Sequence, residues 1–247
     1  MSITTIEMMV IMKIGILGSG TVALTLAEKF LKLDQEVMIS SRNLDTKKKS
    51  MTGDLRSPTE WARMNKQAHA GSFKKAAQFG EVIFNCTKGS ASLQALQSAE
   101  RASFKNKILI DIANPLDFST GTLALTVSNS DSLAEQIQRA YPDTKVVKTL
   151  NTVNVNVMVN PTALGTKEHD MFVCGNDKEA KKWVSETLLV KWLGWENIID
   201  LGDLSGARAM EMYLFLWMRL FSMENNPWFN IHIVKKSKDF TGDYEYT

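Results

Sequence analysis

The run from Ile14 to Ala23, Ile-Gly-Ile-Leu-Gly-Ser-Gly-Thr-Val-Ala, constrains the fold more than any other stretch of the chain. An apolar strand over Lys13–Leu17 leads into a G-x-G-x-x-A turn. Val22, Leu26, Phe30 and Leu33 then recur at helical spacing over Thr21–Leu33. Strand, glycine turn and helix in that order predict the first β-α unit of a dinucleotide-binding fold. Gly18 permits the tight turn, and Gly20 has no Cβ to keep a pyrophosphate off the backbone. Ala23 is small enough for the helix to pack on the strand. The turn residues Gly18, Ser19 and Gly20 and the first helical residues Thr21, Val22 and Ala23 are therefore the expected cofactor cradle. There the helix start offers N–H groups and the positive end of its dipole.

The second strand, Glu36–Ser40, ends in Ser41-Arg42-Asn43. A site for NAD places a carboxylate near here to accept from the ribose 2′-hydroxyl. A hydroxyl at position 41 and a guanidinium at 42 suit a 2′-phosphate instead, so NADPH is the expected cofactor. Lys47, Lys48 and Lys49 follow and add positive potential, or form a solvated face.

With 247 residues, the chain fits one large domain, or one domain with a small companion. A net charge of +2 gives no reason to expect nucleic acid. The longest apolar run, Met212–Met218, is too short to span a membrane. The first residues lack the basic start and small-residue cleavage site of a signal peptide. Cys86 and Cys174 lie in apolar strand-like runs and read as buried thiols in a reducing cytoplasm.

Strand and helix candidates alternate beyond the first unit, which predicts a parallel sheet with crossover helices. After a polar stretch over 43–58 come a helix over 59–67 and a short strand over 68–71. Ser72 caps a helix over 73–79, and a fourth strand covers 81–86. A helix over 90–97, a fifth strand over 107–112, a helix over 131–140 and a sixth strand over 145–148 follow. Beyond Val153 a strand over 170–174, a helix over 178–190, a strand over 197–201 and a long helix over 205–223 are expected. That last helix is apolar almost all round, so it is either buried or faces a partner.

Ligands of open α/β sheets bind at the carboxyl ends of the strands. The fourth strand exits into Cys86-Thr87-Lys88-Gly89, the fifth into Asn114-Pro115 and the sixth into Asn151-Thr152. Thr87 and Asn114 are placed for the nicotinamide half, with Cys86, Lys88 and Pro115 beside them. His69, His169 and His232 show no metal-ligand spacing and read as structural or exposed. No Tyr-x-x-x-Lys pair or other proton relay is evident, so no catalytic acid or base is assigned. Reducing a carbonyl moves a proton with the hydride, whereas transfer to another redox ring needs mainly proximity.

Lys13-Ile-Gly-Ile-Leu-Gly-Ser-Gly-Thr-Val-Ala23, Ser40-Ser-Arg-Asn43, Val82-Ile-Phe-Asn-Cys-Thr-Lys88, Asp111-Ile-Ala-Asn-Pro-Leu116 and Lys148-Thr-Leu-Asn-Thr-Val153 together resemble the NADPH-dependent reductases of the deazaflavin coenzyme F420. The resemblance runs in order over about 12–220. It implies NADPH held through Thr21, Ser41 and Arg42, with a small C-terminal domain closing over the nicotinamide and the acceptor between the two. The same fold occurs as the NADPH-binding part of six-transmembrane metalloreductases.

The expected architecture is a Rossmann-like, doubly wound, mainly parallel sheet with a small α/β C-terminal domain. Residues 1–11 form an extension, 12–152 the NADP-binding domain, and 153–247 the small domain with its apolar helix and tail. The expected function is hydride transfer between NADPH and a flavin- or deazaflavin-like acceptor by a cytoplasmic homodimer. No nucleic acid, membrane or metal is involved in this reading. Its rival is an NADPH-binding sensor without turnover. An imine- or hydroxyacid-reductase reading is weaker, because those families carry a long helical second domain.

Overall fold

The computed structural model describes residues 11–49 and 55–235. Most of the expected extension, residues 50–54 of the polar stretch, the end of the tail and the side chains of Lys48 and Lys49 lie outside the described residues.

The main sheet has eight strands: β1 (Lys13–Leu17), β2 (Glu36–Ser40), β3 (Ala68–Gly71), β4 (Val82–Asn85), β5 (Ile108–Asp111), β6 (Lys145–Thr149), β7 (Asp170–Gly175) and β8 (Asn197–Asp200). Their spatial order is 8-7-6-5-4-1-2-3. Six strands are parallel in the 3-2-1-4-5-6 order of doubly wound dinucleotide folds, and the order reverses between β1 and β4. β7 turns back antiparallel on β6, with Val147 opposite Gly175. β8 then runs parallel to β7. The strands after Val153 thus extend the same sheet; none of them starts another.

Alternation along the central strands sends side chains to opposite faces. Val82, Phe84, Ile110 and Val147 join one core, and Ile83, Leu109 and Val146 join the other. On the first face lie α1 (Thr21–Leu31), Trp61 of α2 (Pro58–Ala62) and α6 (Val155–Val159). With them packs a helix that begins as α7 (Lys178–Trp183) and continues with π geometry to Leu193. On the second lie α3 (Phe73–Phe79), α4 (Gly89–Ser98), α5 (Leu133–Ala140) and α8 (Ala207–Met212). Strands covered on both faces read as near-continuous apolar runs, as these do.

Three expected helices differ in extent. α2 starts at a capping box of Ser57 and Glu60 but ends at Ala62, where the chain turns. The Asn65 side chain accepts from Gln67 N–H in a local turn that competes with the helix. The helix after β7 outlasts expectation by switching to π geometry, and Gly194 ends it at φ 84°. The long C-terminal helix is a short turn (Leu204–Gly206), α8, and α9 (Leu214–Glu224), hinged at Tyr213. Of α9 only Leu214 is buried, while Phe215, Leu216 and Met223 are exposed. The expected helix is thus buried in its α8 part, while α9 keeps an exposed apolar face. Among the described residues no helix is long and apolar enough to cross a membrane.

Candidate functional site

At the carboxyl edge of the sheet, where the strand order reverses, Gly18 leaves β1 at φ 131°. An L side chain rarely adopts that value, and a Cβ there would also lie 2.8 Å from the Cys86 carbonyl oxygen. The turn is tied to β2 by Ser40, whose N–H donates to Gly18 C=O at 3.2 Å. Its hydroxyl donates to Ile16 C=O at 2.8 Å. Gly20 is the N-cap of α1 and offers no side chain to the helix start. The first helical bond runs from Leu24 N–H to Gly20 C=O, so the N–H groups before Leu24 lead toward the cleft.

A Cβ on Gly20 would meet nothing within 4 Å. The chain's own packing does not demand glycine there, and its backbone conformation suits any residue. What the missing side chain leaves room for lies outside the chain, as a phosphate group does. The residues present therefore fit a dinucleotide.

A cleft of about 480 Å³ opens in front of this turn. It brings together Gly18, Ser19 and Gly20 from the turn, Ser41 and Arg42 from the β2 exit, and Cys86, Thr87 and Lys88 from the β4 exit. Arg42 is exposed, and among the described residues nothing ion-pairs or hydrogen-bonds it. Lys47 is turned instead toward Glu60, at 3.5 Å. Thr21, Val22, Ala23, Asn114 and Pro115 do not line the cleft. Ala23 is fully buried against the sheet, where its small size serves packing. Asn114 and Pro115 sit directly behind Gly89, where an added Cβ would lie 2.1 Å from the Asn114 carbonyl oxygen.

The other wall was not read from the sequence. Ala91, Gln94, Ala95 and Ser98 of α4 face the cleft, with Ser40, Asn43, Thr46 and Phe73 around it. The signal existed in the spacing: 91, 94, 95 and 98 form one helical stripe of mostly small residues.

Below the exits lies a buried polar network. Asp111, Lys148 and Glu211 are all shielded from solvent. Lys148 Nζ is 2.7 Å from Asp111 and 3.0 Å from Glu211, and it also donates to Ala113 C=O. Burial alone would lower the Lys148 pKa, and the two carboxylates reverse this, so it stands above its ordinary value. Burial raises the Glu211 pKa, against the pull of Lys148. Glu211 also accepts from Leu133 and Ala134 N–H at the start of α5, at 2.9 and 3.2 Å. Asp111 in turn accepts from Asn85 at 2.7 Å, and Asn85 holds the Thr87 hydroxyl at 2.7 Å. Asn114 and Asn151 join their amides at 2.9 Å across the β5 and β6 exits. The Thr87 and Asn114 side chains are thus held by the protein itself.

The histidines stand outside the cleft. His169 is buried between Pro161 C=O and the Asn230 amide, edge-on to Trp195. His69 packs on Phe79, and His232 pairs with Asp170 at 3.3 Å. Half-buried Cys86 reaches the cleft, but burial and the Asp111 charge hold its thiol well above the ordinary range. Cys174 is buried and pushed up to about 12. Among the described residues no His, Cys, Asp and Glu side chains gather as a metal site.

The sequence matches the family model described as NADP oxidoreductase coenzyme F420-dependent over residues 13–115. A crystal structure from Arthrobacter sp. FB24, of a protein assigned as an F420-dependent NADP-reductase, is 43% identical with a TM-score of 0.82. That likeness covers 91% of this chain and 100% of that one. The F420-dependent NADP reductase of Methanocaldococcus jannaschii is 30% identical over 143 residues, which are 56% of this chain and 60% of that protein. Metalloreductase STEAP3 of Rattus norvegicus is 26% identical over 200 residues, 81% of this chain and 36% of that protein. The chain thus spans less than two thirds of the length of either of these two relatives.

Proposed function

Because the chain belongs to the family of coenzyme F420-dependent NADP oxidoreductases and is an NADP-dependent oxidoreductase, we propose that it passes hydride between NADPH and a planar redox ring of the flavin or deazaflavin class. One observation carries the choice of acceptor. It is the likeness, over the whole length of that chain, to the Arthrobacter protein assigned as an F420-dependent NADP-reductase; the described residues lining the nucleotide cleft add no histidine, tyrosine or carboxylate. Hydride transfer to a carbonyl needs a positioned acid, whereas ring-to-ring transfer needs proximity and orientation.

When bound, NADPH supplies the hydride. The Gly18–Gly20 turn and the start of α1 hold its pyrophosphate, and Ser41 and Arg42 hold the 2′-phosphate, with Arg42 free to make charge-assisted bonds. Cys86, Thr87 and Lys88, backed by Asn114 and Pro115, bound the nicotinamide end. The Asn85–Asp111–Lys148 network braces that wall through the Thr87 hydroxyl. Two protonated thiols suit a reducing cytoplasm. The exposed apolar face of α9 suits a second copy of the chain, giving a homodimer.

The test is NADPH oxidation with riboflavin, 5-deazariboflavin, a quinone and ferric iron as acceptors. Turnover with a ring is expected, with an isotope effect from 4-deuterated NADPH and little change between pH 6 and 8. His69→Ala should lose far less than the roughly 10²–10⁴-fold typical of a missing acid or base. A bell-shaped pH profile abolished by that substitution would contradict the proposal, as would NADPH binding with no acceptor reduced.

A further inference from the structure

Buried polar groups nearly always find a partner. Among the described residues five buried side-chain atoms have none: Asn151 Oδ1, Thr152 Oγ1, Tyr213 OH, Trp217 Nε1 and Asn230 Oδ1. Their residues lie on three segments that contact one another: the β6 exit, the α8–α9 hinge and the segment 225–235. Consecutive contacts join the parts of this corner. Asn151 donates to Met210 C=O at 3.0 Å, and Tyr213 follows one turn further along the helix. Trp217 lies a turn beyond, with its backbone N–H on Tyr213 C=O at 3.0 Å.

The segment after α9 folds back across this corner and is pinned at two places. Asn154 donates to Pro227 C=O. Further on, Asp170 accepts from Ile233 N–H at 2.6 Å and donates its own N–H to Ile231 C=O at 3.0 Å, while Asn230 donates to Asp170 C=O at 2.8 Å. Between the pins, Phe229 lies on Trp217 with ring centroids 5.3 Å apart and planes 25° apart. Phe221 stacks on Trp217 as well, at 5.5 Å and 17°. The strap therefore puts a bare aromatic ring against Trp217, whose indole Nε1 is left without a partner.

Resting on the ring-acceptor reading above, we propose that this corner is the acceptor site in a covered state, with Phe229 standing where the acceptor ring stacks. The unpaired atoms describe the ring's edge. Trp217 Nε1 can only donate, Asn151 Oδ1 can only accept, and the Thr152 and Tyr213 hydroxyls do either. Burial raises the Tyr213 pKa, so its phenol keeps the proton. An edge of alternating carbonyl and N–H groups, the pyrimidinedione of a flavin or deazaflavin, answers both kinds, whereas a benzene ring answers neither. The strap swings aside as the ring enters, exchanging one aromatic stack for another with hydrogen bonds added.

The experiment is a titration of riboflavin and 5-deazariboflavin into the full chain with saturating NADP⁺. It uses wild type, Phe229→Ala, Phe229→Leu and Trp217→Phe, with NADP⁺ affinity measured alongside as a check on folding. Removing the competing ring in Phe229→Ala or Phe229→Leu should tighten ring binding about fivefold. Trp217→Phe keeps a stacking face but loses the donor, and should weaken it about fivefold, the size of one hydrogen bond. NADP⁺ affinity should stay within twofold in all three. Opposite shifts from two residues in one stack are not what a merely structural contact gives. Ring binding that neither phenylalanine variant tightens, or that Trp217→Phe leaves unchanged, overturns the strap while the ring-acceptor reading stands. Absence of ring binding in wild type and in both Phe229 variants overturns the two together.

Discussion

Glycine stands at 18, 20 and 89 for three separate physical reasons. Gly18 supplies a backbone angle, Gly89 lets the Asn114–Pro115 backbone pass, and Gly20 leaves space that the chain itself does not use. Alanine at 89 and at 20 should therefore behave oppositely. Gly89→Ala puts a methyl group against fixed backbone and should cost about 1–3 kcal/mol or more, as overpacking does. Gly20→Ala should leave thermal stability equal or slightly raised. NADPH affinity should nonetheless fall by about tenfold or more, roughly 1.4 kcal/mol. Thermal melts with and without NADPH separate the cases, and a Gly20→Ala protein binding NADPH as wild type does would remove the argument for its open space. Positions 18 and 20 were legible in the sequence because a turn must be spelled in residues that permit it. Gly89 was not, because its neighbour lies across the sheet and no local pattern reports it.

At the scale of elements, the strands and most helices follow from apolar periodicity and caps. What escaped is what crosses between elements. Lys148 reads as a charge at the end of a short strand, yet it sits wholly inside, tying β5, β6 and α8 together. Nothing near Lys148 in sequence announces Asp111 or Glu211. The cation is what lets both carboxylates remain buried, so removing it should be severe. Lys148→Met is expected to lose about 3–5 kcal/mol at neutral pH, as when one partner of a buried ion pair is deleted. Glu211 already has a raised pKa in the folded protein, and without Lys148 it should rise further. A carboxyl raised on folding adds stability while it is protonated and loses it as pH climbs through the folded value. The deficit of Lys148→Met should therefore shrink on acidification toward pH 5. Urea melts across that range check the sign, and a deficit that grows on acidification would contradict the network as described.

For the molecule as a whole, the doubly wound, mainly parallel core was legible, because six strands and their crossover helices alternate in sequence, while their spatial order came from the structure. That the last two strands join the same sheet was not, since an antiparallel return looks locally like any other strand. The apolar helix expected over 205–223 was read as either buried or partner-facing; the protomer buries its α8 part and leaves one face of α9 exposed. Phe215 and Leu216 at about half exposure, with the more exposed Met223, form the face expected to meet a second copy. Light scattering should give about twice the 27.7 kDa chain mass, and a monomer at every concentration would contradict the dimer.

The account depends most on the cleft being built for NADPH, with Arg42, which no described residue pairs, proposed to hold the 2′-phosphate. Calorimetric titration of the same protein with NADPH and with NADH tests this directly. NADPH should bind at least about tenfold more tightly, or about 1.4 kcal/mol, and Arg42→Glu should shrink or invert that ratio. Equal affinities for the two cofactors in the wild-type protein would contradict it.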